Sequence, residues 1–119
     1  MPHYITTLER LNDKYTHQYS GIGYDELSSR VHSQFQSAGY KVLQVYQGGA
    51  QYEKGNYTMR ILFGAFVKYF KFAVQVTDGG NGLLNVSVLR QTSGMSGGLI
   101  GMNQVKKEMQ RLEEVLRQI

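Results

Sequence analysis

Thr92-Ser93-Gly94-Met95-Ser96-Gly97-Gly98-Leu99-Ile100-Gly101 runs directly into a stretch, 102–119, with apolar residues at Met102, Val105, Met109, Leu112, Leu116 and Ile119. The steps are 3, 4, 3, 4 and 3 residues, which lays one apolar seam along a helix. Val115 widens the seam, and Glu113 and Arg117 form a favourable pair one turn apart. A single amphipathic helix of this length needs a surface to cover, so the rest of the chain is expected to supply a sheet.

The residues before that helix read as strands. Over 40–46 the pattern is β-branched and aromatic, and 83–91 alternates, with Leu84, Val86 and Val88 on one side and Asn85 and Ser87 on the other. Between them, 51–54 and 57–63 flank Gly55-Asn56, a hairpin dipeptide, and Asp78-Gly79-Gly80-Asn81-Gly82 is a strong turn signal. The apolar phase slips at Gly64-Ala65, which implies a tight turn or a bulge, the turn being preferred. Beyond the slip, Phe66, Phe70, Phe72, Val74 and Val76 share a face.

Upstream, Tyr24, Leu27, Val31, Phe35 and Ala38 make a helical stripe, with Asp25 and Glu26 at its start and Gly39 at its end. Residues 3–16 place Tyr4, Leu8, Leu11 and Tyr15 at helical spacing, which predicts a further short helix. The expected fold is therefore α+β and a single domain over 1–119. It has an N-terminal helix or two, an antiparallel meander of four to five strands, and a long C-terminal amphipathic helix on one sheet face. This is a helix-grip-like outline. Leu43 and Val45 are expected opposite Val42, so strand 40–46 is apolar on both faces and calls for a cover: the N-terminal segment or another subunit.

Composition narrows the function classes. The chain has 119 residues, no Cys, three His and a formal net charge of +4. The absence of Cys removes disulfides, thiolate metal sites and Cys nucleophiles. Residues 41–90 carry six cationic side chains against two acidic ones, so the middle of the chain is its basic part. The apolar stretch 61–76 is interrupted by Lys68, Lys71 and Gln75, too short and too charged for a membrane span. The opening Met1-Pro2-His3-Tyr4 has neither a basic nor an apolar region, so no secretion signal is expected. A cytoplasmic location is the resulting expectation.

No catalytic set can be assigned. His3, His17 and His32 lack metal-ligand spacing, no Gly-x-Ser-x-Gly elbow occurs, and no carboxylate pair stands out. No metal or cofactor is called for. The glycine segment offers an anion-binding alternative through Gly97, Gly98 and Gly101 with Lys106 and Lys107 one turn on, but the nucleotide-loop spacings are absent. Close helix packing is the preferred reason for those glycines. Phe63 to Tyr69 matches the RNA-recognition strand motif at Ala65, Phe66, Val67 and Tyr69 and departs from it at Leu62, Phe63 and Gly64, and the element order differs as well.

These observations favour a non-catalytic binding or assembly module, with a homo-oligomer as the first expectation. A small apolar ligand could lie between helix and sheet, where Met59, Phe70, Phe72, Met102, Val105 and Met109 are the candidate lining. The alternative is nucleic-acid binding by a basic, tyrosine-bearing sheet face built from Lys41, Arg60, Tyr69, Lys71 and Arg90.

Overall fold

The computed structural model describes residues 3–11, 13–55, 69–91 and 98–119. Its elements in chain order are β1 (Tyr4–Arg10), β2 (Lys14–Tyr19), α1 (Tyr24–Ser37), β3 (Lys41–Tyr46), β4 (Gly49–Gly55), β5 (Tyr69–Gly80), β6 (Leu83–Arg90) and α2 (Gly98–Leu116). The fold is mixed α+β. One antiparallel sheet of six strands runs in the order β1-β2-β6-β5-β4-β3.

Two expectations are corrected here. Among the described residues the sheet has six strands, not four or five, and those within 3–16 are not helical. They form the hairpin β1–β2 instead, so a single helix precedes β3. The helical spacing of Tyr4, Leu8, Leu11 and Tyr15 is a coincidence of two strand patterns. Ile5 and Leu8 are the extra residues at two register shifts in β1, and Tyr15 belongs to a strand with Tyr15, His17 and Tyr19 on its inner side. The hairpin does not lie over the sheet. It extends the sheet edgewise, because β2 pairs with β6 from Lys14↔Leu89 to Tyr19↔Leu84.

Local chemistry explains the remaining elements. α1 carries Asp25 and Glu26 in its first turn and buries Leu27, Val31 and Phe35. It ends where Gly39 takes a φ of +95°, and the Tyr40 amide returns to the Phe35 carbonyl at 2.9 Å, the arrangement that closes a helix on a left-handed residue. β5 and β6 are joined by Asn81-Gly82, both at positive φ (55° and 78°), the two-residue turn whose twist suits a hairpin. The expected Gly55-Asn56 hairpin, the strand over 57–63 and the phase slip at Gly64-Ala65 lie outside the described residues.

α1 and α2 pack on one side of the sheet. The core joins Leu27, Val31 and Phe35 of α1 and Met109, Leu112 and Leu116 of α2 to Tyr15, Tyr19, Tyr52, Phe70, Phe72, Val74, Val76, Val86 and Val88 of the strands. Phe35 stacks on Tyr52 with ring centroids 4.5 Å apart and meets Tyr40 edge-on at 5.3 Å, geometries that add to the area each ring buries. Gln51, Glu53, Lys71, Ala73, Gln75, Asn85, Ser87 and Leu89 alternate with these core residues and take the outer face.

Candidate functional site

Among the described residues, the edge strand β3 is the most exposed element. All six of its residues are exposed, including Val42 (40%), Leu43 (42%), Val45 (73%) and Tyr46 (37%). A strand at the end of a sheet also presents unpaired backbone N–H and C=O groups, a template for another strand. The register with β4 explains the side-chain pattern. Lys41 pairs with Glu53 and Val42 with Tyr52, then Leu43 is skipped and Gln44 pairs with Gln51, Val45 with Ala50 and Tyr46 with Gly49. The extra residue puts Val42 and Val45 on the same face, the helix side, opposite the buried Tyr52 and Ala50. The expected opposition of Val42 to Val45 is thus corrected by a bulge. Lys41, Gln44 and Tyr46 share the outer face, and the Lys41 ammonium lies 3.2 Å from Glu53.

The opposite edge differs. β1 shifts register twice, between Tyr4 and Thr6 and between Thr7 and Glu9. Such irregularities bend an edge away from further pairing. The charged side chains of Glu9 and Arg10 also stand on β1, bonded to Lys14 and Glu113 respectively.

A second group of polar residues sits under α2. Glu108, nearly buried, accepts hydrogen bonds from Tyr40 (2.5 Å) and from Arg111 Nε and Nη2 (3.0 and 3.1 Å), with Lys54 at 3.8 Å. Burial pushes its carboxyl upward, but the bonds from Arg111 and Tyr40 and the nearby positive charges outweigh that, and the group ends below the usual Glu value. Glu113 is held by Arg10 and Arg117. Its backbone carbonyl accepts from His17 Nε2 at 3.1 Å, which leaves His17 Nδ1 to accept from Thr7 Oγ1 at 2.9 Å, and Thr7 to accept from Tyr4 at 2.8 Å. Tyr19 donates to the Leu116 carbonyl at 2.6 Å. These bonds fasten α2 to the sheet at both ends of its described side chains. Both carboxylates are neutralised by cations, and the Tyr40, His17 and Tyr19 side chains are bonded to α2, an arrangement suited to docking a helix.

The sequence-derived candidates distribute as follows. Phe70, Phe72 and Met109 converge, but as buried members of the core. Met59 lies outside the described residues, as do the side chains of Met102 and Val105. Of the anion set, Gly97 lies outside the described residues, Gly98 and Gly101 belong to the first turn of α2, and Lys106 and Lys107 are exposed on it. Of the basic set, Lys41 and Lys71 flank Glu53 on the outer face, whereas Arg90 is in register with the buried Phe72 and so faces the helix side. Arg60 and the Tyr69 side chain lie outside the described residues. Among those described, no three His, Asp or Glu side chains converge as metal ligands, and no helix is long and apolar enough to cross a membrane.

Tyr15, His17 and Tyr19 were legible only as a period-two alternation, Tyr-Thr-His-Gln-Tyr, that helical spacing overrode. Glu108 and Glu113 gave no signal beyond lying five residues apart on the terminal helix. No protein-family model and no curated protein matches this chain.

Proposed function

We propose that this protein is a non-catalytic assembly domain that self-associates through the edge of its sheet. The observation that carries the reading is β3, a terminal strand with four apolar or aromatic side chains exposed among six. Leaving such an edge bare invites strand addition, which proteins otherwise suppress with charges, prolines or bends. The β1 edge carries such bends, and β3 has a single bulge and one cation at its start.

Size-exclusion chromatography with light scattering tests this reading. The expected result is a mass of twice the chain or more, falling to one chain in Val45→Lys with the thermal midpoint unchanged. A wild-type protein that stays monomeric at high concentration overturns it.

A second reading, nucleic-acid binding, draws support from Lys41 and Lys71 on the same outer face. Glu53 between them halves the local positive charge, so this reading ranks below assembly. Reversing both lysines to Glu would abolish any salt-sensitive nucleic-acid retention if this face binds phosphate. The apolar-ligand variant of a helix-grip arrangement has less support, because Phe70, Phe72 and Met109 already fill one another's surroundings in the core.

A further inference from the structure

We infer that two copies join β3 to β3 antiparallel about the midpoint of the strand, forming one continuous sheet in which Val42 lies opposite Val45 of the second copy and Lys41 opposite its Tyr46. The inference rests on the self-association reading above and adds to it a geometry.

The bulge selects the alignment. A regular strand of six residues alternates faces, so reversing it about its midpoint sets an outer residue against an inner one at every position. β3 is not regular. Skipping Leu43 places Lys41 and Tyr46 both on the outer face and Val42 and Val45 both on the helix side. Reversal about the midpoint now maps each of these pairs onto its own face. Moving the partner by one residue breaks the match, because Lys41 would then meet Val45, or with the opposite shift Val42 would meet Tyr46, in either case across faces. Moving it by two shortens the paired length.

The side chains agree with that alignment. Val42 and Val45 are exposed at the rim of the helix-side core, and pairing sets β-branched residue against β-branched residue on both sides of the axis. On the outer face, Lys41, already oriented by Glu53 at 3.2 Å, comes beside the ring of Tyr46 from the other copy, a cation over an aromatic face, repeated twice by symmetry. A parallel arrangement would instead stack Lys41 on Lys41. The occupant that fits this edge is therefore a second copy of the chain.

The chain contains no Cys, so engineered thiols report the alignment without background. Val42→Cys and Val45→Cys are co-expressed and oxidised, and each is also oxidised alone. The expected outcome is a covalent dimer at least several-fold more abundant in the mixture than in either variant alone. Lys41→Cys with Tyr46→Cys repeats the experiment on the outer face and decides the matter if the valine variants lose their assembly. A Val45→Cys protein that cross-links to itself as readily as to Val42→Cys overturns the alignment. If light scattering still finds a dimer in that case, self-association stands and only the geometry falls. A monomeric wild-type protein removes both.

Discussion

The Tyr40 hydroxyl donates a 2.5 Å hydrogen bond to Oε2 of Glu108, joining the residue just after α1 to the middle of α2. Tyr40 is itself buried and touches Phe35 and Phe72, so its ring is held from both sides and its hydroxyl has a defined direction. Burial and the adjacent carboxylate push the phenol far above its ordinary pKa, which keeps it a donor at all physiological pH. Bonds to charged acceptors contribute more than neutral ones, and the acceptor here is nearly buried. Tyr40→Phe is expected to lower the unfolding free energy by about 1.5–3 kcal/mol, measured by urea titration. A loss below about 0.5 kcal/mol would show that Arg111 and Lys54 alone satisfy Glu108.

His17 governs the first acid transition. Burial pulls its pKa below the ordinary 6.5, against the opposing effect of the Glu113 carbonyl. A histidine kept neutral in the folded state favours folding most above pH 6.5, where the unfolded chain is also neutral. As pH falls below that value the unfolded chain takes up the proton first, so stability declines until the folded pKa is reached. Glu108, whose folded pKa lies below the ordinary 4.5, withdraws its own contribution only beneath that point. Denaturation series should therefore show two separate declines, and His17→Gln should flatten the upper one only.

Tyr15 gives a prediction of opposite sign. Its side chain is 1% exposed, and its hydroxyl has no hydrogen-bond partner among the described residues. Burial and the neighbouring Glu113 also push this phenol well above its ordinary pKa. An unsatisfied buried hydroxyl costs on the order of 1–3 kcal/mol, and the ring alone supplies the packing. Tyr15→Phe should raise the thermal midpoint by roughly 3–6 °C for each kcal/mol recovered. A lower midpoint would mean that the hydroxyl is bonded in solution.

Gly49 couples the β3–β4 hairpin to β5. A Cβ built there would sit 2.0 Å from the Val74 carbonyl oxygen, a backbone atom that cannot swing aside. Gly49→Ala must push the two strands apart, at a cost of about 1–3 kcal/mol. Calorimetry measures the loss. The same variant should weaken self-association, because it displaces the strand that carries the interface.

How much of this was readable beforehand depends on which physical signal dominated locally. α1 and the β5–β6 hairpin follow from short-range causes, a stripe of apolar residues closed by Gly39 and an Asn-Gly turn. The inward row of Phe70, Phe72, Val74 and Val76 likewise follows from strict alternation. The N-terminal hairpin escaped because two register shifts in β1 displace its apolar residues from period two, and Leu8, Leu11 and Tyr15 then mimic helical spacing. The bulge at Leu43 escaped for a related reason, since nothing in Val-Leu-Gln-Val distinguishes a bulged strand from a regular one until its partner is known. The clamps on Glu108 and Glu113 join residues about 70 to 100 positions apart, Tyr40 to Glu108 and Arg10 to Glu113, and local pattern carries no information about such distant partners.

The placement of β2 beside β6 has a bearing on biosynthesis. β2, although made second, must wait for residues 84–89 before it has a neighbour other than β1, and an isolated two-stranded hairpin is marginal in water. Its inward residues His17 and Tyr19 bond to Glu113 and Leu116, which are translated later still. Nascent chains halted before α2 should thus remain protease-sensitive at their N-terminal end, and the domain should acquire resistance only once its last helix has cleared the ribosome.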